Sequence, residues 1–239
     1  MSLIYISEHA HECVKKYILD KGHRILEMPD NNFVLRAMSS HPDIFMCKMG
    51  CRSDSPIIYS DEFKFLMGAK APANGFDLKL DKKYPKDVLY NAASTGKFLI
   101  HCLRYTDDKI LSAAKKLGQN LIDIPQGYSK CSIVVVDENS IITYDRGISK
   151  KIYTEYFPDS PGILQIKPGH VKLPGMNVGF LGGASGRIGN EIVFNGDLEM
   201  HPDSIKIKAY IESRGLKCVW FKGHDLLDIG TIIEEGRVN

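Results

Sequence analysis

The chain has 239 residues, 44% hydrophobic and 25% charged, with a formal net charge of +2. That is enough apolar material to build a core without disulfides or metals, and it excludes a disordered chain. So small a net charge argues against a nucleic-acid partner. No apolar run reaches the roughly 18 residues of a membrane span. Leu3 to Ile6 is too short for the apolar part of a signal peptide. Cys13, Cys47, Cys51, Cys102, Cys131 and Cys218 are scattered and form no C-x-x-C pair, the pattern of reduced thiols in a cytoplasmic protein.

The first strand is expected at Ser2-Leu3-Ile4-Tyr5-Ile6, a β-branched and aromatic run suited to burial. Glu8 to Lys21 reads as a helix, with Ala10, Cys13, Val14, Tyr17 and Ile18 near helical spacing, Ser7 as N-cap and Gly22 as terminator. Gly22 opens onto a second run, His23 to Met28. After Asp30-Asn31 and Ser39-Ser40-His41-Pro42-Asp43 comes an expected strand, Ile44-Phe45-Met46. Pro56 to Ser60 repeats the strand pattern, a short helix is expected near Asp61 to Met67, and Gly75 precedes Phe76 to Leu80. Val88 to Tyr90 reads as extended, Lys97 to His101 as strand, and Asp107 to Leu117 as a helix with Ile110, Leu111, Ala114 and Leu117 on one face. Gly118 then precedes Gln119 to Ile124. Ser132 to Val136 and Ser140 to Tyr144 read as a hairpin turning at Asp137-Glu138-Asn139-Ser140. A helix from Arg146 to Tyr156 and the run Gly162 to Ile166 follow. Val178 to Leu181 reads as extended, Glu191 to Asn195 as strand, and Asp203 to Arg214 as helix, before Gly215 and Leu216 to Phe221.

The same order of elements therefore recurs, with marker glycines 43 to 53 residues apart. The stretch after Gly215 and the stretch before Gly22 together make one more interval of that size. This spacing implies a single domain over residues 1–239, in five units starting near Gly22, Gly75, Gly118, Gly162 and Gly215. Residues 1–21 would close the last unit. The alternative is an ordinary α/β chain whose elements happen to be evenly spaced.

Five such units joined head to tail resemble the pentein, or guanidino-group-modifying enzyme, superfold, over the whole chain and especially an uncharacterised bacterial branch of it. The segments that carry the resemblance are Ser39 to Asp43, Gln126-Gly127-Tyr128-Ser129-Lys130-Cys131-Ser132, Ile141 to Asp145, Gly182-Gly183-Ala184-Ser185-Gly186 and Asp228-Ile229-Gly230. The resemblance implies an α/β fold, a five-fold pseudosymmetric propeller of ββαβ-type units around a central channel. It also implies a cysteine that attacks a guanidinium carbon, a histidine acting as acid and base, and carboxylates that hold the guanidinium. In that family the cysteine comes from the last unit. Here the corresponding stretch, His224 to Thr231, has none. This departure leaves two readings. One is a hydrolase or transferase acting on a small guanidino, amidino or other nitrogenous compound in the channel. The other is a non-catalytic ring that binds a ligand or a macromolecule.

Cys131 is the candidate nucleophile, with Lys130 beside it to lower its pKa. It is expected to begin an inner strand, and the alternative is a small buried apolar side chain. His41 is the candidate acid–base residue, with Asp43 two positions on; the alternative is that His-Pro-Asp is a simple turn. Candidate ligand-binding residues are Asp30, Asn31, Lys130, Asp145, Gly183, Ser185, Asp225 and Asp228, whose acids would suit a cation. Asp145 has a competing role as a helix cap. Gly182 to Gly189 lacks both the following helix and the Gly-Lys-Ser/Thr of a phosphate loop, and reads instead as close backbone lining the channel. His9, His11, Glu12 and Cys13 have the residue types of metal ligands, but on a helix His9 and His11 do not face each other, which argues against zinc. No cofactor is implied.

Overall fold

The structure is a computed structural model, described here for residues 1–236. It is a mixed α/β chain built from small sheets. β1 (Leu3–Ser7), α1 (Glu12–Asp20) and β2 (Arg24–Met28) form a parallel crossover. A helical turn, α2 (Pro42–Phe45), leads into β3 (Met46–Lys48), which pairs antiparallel with β4 (Ile57–Tyr59) before α3 (Asp61–Leu66). Three further stretches each make a hairpin, a helix and a parallel third strand. The first is β5 (Ala93–Ser94), β6 (Phe98–His101), α4 (Asp108–Lys116) and β7 (Asn120–Asp123). The second follows a helical turn, α5 (Ser129–Ser132), with β8 (Ile133–Asp137), β9 (Ser140–Thr143), α6 (Arg146–Glu155) and β10 (Gly162–Gln165). The third is β11 (Ser185–Ile188), β12 (Glu191–Phe194), α7 (Ser204–Glu212) and β13 (Lys217–Val219).

β14 (Ile233–Glu235) pairs antiparallel with β1, Leu3 opposite Glu235 and Tyr5 opposite Ile233. The two ends of the chain thus complete a sheet in the order β14-β1-β2, the same plan as the three internal ones. Side chains reinforce that closure. The Tyr5 hydroxyl donates to Glu235 at 2.7 Å, and the Tyr59 hydroxyl donates to the other Glu235 oxygen at 2.9 Å. The Gly236 amide donates to the Ser53 carbonyl at 2.8 Å.

Each long helix buries one pair of residues four apart, which lie on one helical face. In α1 the pair is Val14 and Ile18, packed with Ile4 and Ile6 of β1. In α4 it is Ile110 and Ala114, with Leu99 of β6. In α6 it is Ile148 and Ile152, with Ile141 of β9. In α7 it is Ile207 and Ile211, with Ile192 of β12. Each fully buried aliphatic side chain contributes about 1.5–3 kcal/mol of apolar burial, so these pairs anchor each helix to the middle strand of its own sheet. Gly22, Gly118 and Gly215 end three of these helices at φ of 79°, 68° and 74°.

Several expected elements differ. Phe76 to Leu80 forms no strand. The Asp77 amide donates to Asp61, and the Lys79 and Leu80 amides donate to Glu62, so acids of α3 satisfy this backbone and the sheet stays two-stranded. Val88 to Tyr90 and Val178 to Leu181 lie outside the strands, and the paired strands come later, at β5 and β11. In the first case the Asn91 amide turns back to the Val88 carbonyl. Ile44 and Phe45 are helical because Pro42 sets the first turn of α2. α1 begins later than expected, since the Ser7 hydroxyl accepts from the His9 amide in a turn.

The hairpin partners β3, β5, β8, β11 and β14 line one narrow cavity of about 50 Å³, contributing Lys48, Ser94, Val135, Arg187 and Glu234 among others. Deleting residues 1–7 removes the strand shared by β2 and β14, and thermal unfolding followed by circular dichroism is expected to lose its cooperative transition. The point substitution Ile4→Ala, at a fully buried position, is expected to cost about 2–5 kcal/mol in a denaturant titration.

Candidate active site

The residues just before these five strands come together beside this cavity, which Lys130 lines. His41 and Asp43 precede β3, Asn91 precedes β5, Lys130 and Cys131 precede β8, Gly183 precedes β11, and Asp228 and Thr231 precede β14. Cys131 lies on the helical turn α5 rather than at the start of a strand. Asn91 holds that turn. Its Oδ1 accepts from the amides of Lys130 (2.9 Å) and Cys131 (3.3 Å), and its Nδ2 donates to Cys131 Sγ at 3.3 Å. The Cys131 thiol donates to Asp43 Oδ2 at 3.0 Å. The Asp43 amide donates to the Gly230 carbonyl at 3.2 Å, linking the first and last members of the cluster.

Asp228 is fixed by backbone donors. The Phe180 amide reaches its Oδ2 at 2.8 Å and the Gly230 amide its Oδ1 at 3.0 Å. Two glycines are required by close approach. A Cβ at Gly183 would overlap the Asp228 carboxylate, and one at Gly230, where φ is 67°, would overlap His41. Thr231 sits at φ 72°, a costly conformation for a β-branched residue. Three hydrogen bonds hold it there: its amide to the Gly183 carbonyl (2.8 Å), its hydroxyl to the Ser185 carbonyl (2.6 Å), and Lys130 Nζ to its hydroxyl oxygen (2.7 Å).

Burial dominates the electrostatics of the cluster. It raises the Asp43 carboxyl to about 6, against the pull of the Cys131 hydrogen bond and Lys130. It raises Asp228 to about 7, with the two backbone amides opposing and Asp43 adding repulsion. It lowers His41 to about 3, so the imidazole is neutral. His41 Nδ1 stands 4.0 Å from Asp228 Oδ1. With the ring neutral this is not an ion pair. Lys130 was expected to make Cys131 acidic. Instead the thiol is pushed well above its ordinary value, because burial and the nearby Asp43 and Asp228 outweigh the amine, whose own pKa burial lowers. His41 Nδ1 and Asp43 Oδ1 are buried without a hydrogen-bond partner.

Two clefts reach this cluster. One, of about 250 Å³, has His41, Cys131 and Asp228 among its lining residues, with Met38, Tyr128 and Phe180 as apolar and aromatic walls. The other, of about 440 Å³, is more polar and carries His9, Asp30, Arg36 and Ser40. His41 and Asp228 line both clefts and stand between them.

Residues 5–233 match the model of a family of unknown function, DUF6873. The chain belongs to this family. The DUF6873 match spans every residue of the cluster, from His41 to Thr231. No curated protein matches the chain.

The structure thus brings together five of the residues singled out in sequence: His41, Asp43, Lys130, Cys131 and Asp228. Gly183 supports them from behind, and Asp30 lies at the rim of the polar cleft, accepting from Ser39 at 2.6 Å. Four others act elsewhere. Asn31 donates to the Ser39 carbonyl and accepts from the Phe33 amide, which shapes its own loop. Asp145 caps α6, accepting from the amides of Gly147 and Ile148. Asp225 is exposed and pairs with Lys172 at 2.7 Å. Ser185 donates to the Leu181 carbonyl at 2.9 Å and lines the narrow cavity. Asn91 and Thr231 were missed as site residues; only their places just ahead of β5 and β14 signal them.

The pH dependence of stability tests the burial of Asp228. Its carboxyl is raised from 3.8 to about 7, so the native state keeps a proton that the unfolded chain releases. The stability this contributes is complete below the unfolded value and is lost as pH rises through 7. Asp228→Asn removes that loss. Whatever its uniform cost, the variant is expected to gain on the wild type by about 1 kcal/mol or more between pH 4 and pH 8, read from urea titrations.

Proposed function

We propose that the chain is a pentein-like α/β propeller that acts as a hydrolase or transferase on a small amidino or guanidino cation. The observation that carries this reading is one buried group of three side chains, Cys131, His41 and Asp228, at the floor of an aromatic-walled cleft, with the buried Asp43 behind Cys131 at 3.0 Å. The five small sheets, with hairpin partners around one cavity, support the propeller. The missing cysteine of the last unit has a counterpart. Asp228 precedes β14 as Cys131 precedes β8, so the nucleophile moves to another unit around the same mouth.

The chemistry follows from the charges. An amidinium entering the cleft supplies the positive charge that both raised carboxyls lack. It binds with Asp43 and Asp228 ionised, its planar N–H groups matching carboxylate oxygens. Asp43 Oδ1, which has no other partner, is free to accept. The same cation stabilises a thiolate at Cys131, whose proton passes to His41, one of whose ring nitrogens lies within 4.8 Å of Sγ. Sγ then bonds to the amidino carbon. The C–N bond breaks and the amine leaves with the proton from His41. Water or a second amine attacks the thio-intermediate and releases Cys131. Burial that holds His41 neutral also makes it a weak base in the empty cleft, so the imidazole takes the thiol proton only once the bound cation has left Asp228 ionised beside it.

Labelling of Cys131 by a cationic haloacetamidine, compared with the neutral haloacetamide, tests the reading. Cys218, outside the site, serves as the internal reference. The cation is expected to favour Cys131 by about tenfold or more relative to Cys218, since two ionisable carboxyls attract it. A guanidino compound is expected to protect the thiol, and Gly183→Ala, which displaces Asp228, to abolish the preference. Equal rates for the two reagents would overturn the proposal. Protection without turnover of any amidino compound would favour the non-catalytic ring.

A further inference from the structure

His41, Cys131 and Asp228 are far apart in sequence and belong to three different sheets' approaches. Yet a ring nitrogen of His41, Cys131 Sγ and a carboxylate oxygen of Asp228 lie within 4.8 Å of one another, all buried. His41 Nδ1 is only 4.0 Å from Asp228 Oδ1 and has no hydrogen-bond partner. A fully buried ring nitrogen left unsatisfied is rare, because its desolvation is not recovered. We propose that these three side chains bind a zinc-class divalent cation, leaving its fourth position open to the 250 Å³ cleft.

The donor set selects the metal. A thiolate, an imidazole and one carboxylate suit a borderline-soft tetrahedral ion. Magnesium and calcium require a shell of oxygens, which this cluster does not offer. The geometry is near what zinc needs. Bonds of about 2.0–2.3 Å place tetrahedral donors roughly 3.4–3.7 Å apart, so the widest pair closes by about 1 Å. The supports are already in place. Asp228 is oriented by the amides of Phe180 and Gly230, and Asn91 Nδ2 points at Cys131 Sγ, the kind of outer contact that steers metal ligands. Binding releases the Cys131 proton, and that of Asp228 where it is still protonated, to solvent, and the thiolate and the Asp228 carboxylate then balance the two positive charges. Tyr128, Phe180 and Met38 are among the residues that line the cleft onto which that position opens.

A metal there and an amidinium would claim the same Sγ and the same carboxylate. The site therefore holds one or the other, and zinc acts as an inhibitor that competes with the cationic ligand. This last point rests on the amidino reading of the cleft; the metal site itself does not. A second group, Glu8, His9 and Asp30, is exposed, with His9 already 3.1 Å from Asp30. The experiment must separate it from the buried site.

The full-length protein, stripped with chelator, is titrated with Zn²⁺ against a chromophoric competitor and, in parallel, with Co²⁺. One equivalent is expected to bind in both the wild type and His9→Ala. Cys131→Ser and Asp228→Asn are each expected to weaken binding by about 100-fold or more. Co²⁺ is expected to give a near-ultraviolet thiolate-to-cobalt band that Cys131→Ser lacks. In the unsubstituted protein, Zn²⁺ is expected to block alkylation of Cys131, a measurement that does not depend on any variant folding. No stoichiometric binding, or binding kept in Cys131→Ser and lost in His9→Ala, would overturn the site. Because these readouts need no turnover, a protein that binds zinc but ignores amidines removes only the enzyme reading. One that turns over amidines but binds no zinc removes only the metal site.

Discussion

The pairing of β1 with β14 sets the geometry on which the site depends. The loop Asp228 to Thr231 runs directly into β14, and β14 is held by three residues of β1 and by Tyr5 and Tyr59 through Glu235. With that strand in place, the amides of Ile229 and Thr231 both reach the Gly183 carbonyl, at 3.1 and 2.8 Å. Gly230 is then pressed against His41, and Asp228 against Gly183. The contact between His41 and Asp228 is therefore a consequence of how the chain closes. Its precision comes from two positions where a side chain would not fit.

The site this closure builds is electrostatically costly. Two carboxyls, an amine, a thiol and an imidazole lie close together and largely out of water. Each charged form loses solvation there. The backbone amides of Phe180 and Gly230 and the Lys130 amine offset only part of that loss for Asp228. Thr231 adds backbone strain of about 1–3 kcal/mol. Strain, unsatisfied polar atoms and displaced pKa values coincide at this one place, and that coincidence is what the two proposals rest on. A cation, organic or metallic, is the partner that would relieve the charge imbalance. The proposed amidinium and the proposed metal are two answers to the same local field.

Much of the architecture was legible because it rests on short-range rules. The β-branched runs at Ser2, Pro56, Lys97, Ser140 and Glu191 became β1, β4, β6, β9 and β12. Helices closed by Gly22, Gly118 and Gly215 appeared where spacing predicted them, because a glycine enters positive φ without strain. The hairpin partners were harder. Val88 to Tyr90 and Val178 to Leu181 look extended by composition, whereas β5 and β11 are short and rich in small residues. The run after Gly75 forms no strand because its amides donate to acids on α3.

The sequence by itself determined the long helices, the strands on either side of them, the glycine stops and the shortlist of reactive side chains, because residue type and spacing act over a few neighbours. It also pointed to His41, Asp43, Cys131 and Asp228 one at a time. Only the tertiary structure decided which of them meet. It set aside Asn31, Asp145 and Asp225, each of which is engaged elsewhere, Asn31 and Asp145 in their own loops and Asp225 with Lys172. It drew in Asn91 and Thr231, whose value lies in what they touch across the fold. It also reversed the expected effect of Lys130 on Cys131. Burial depends on the surroundings in three dimensions, and here desolvation outweighs the nearest charge.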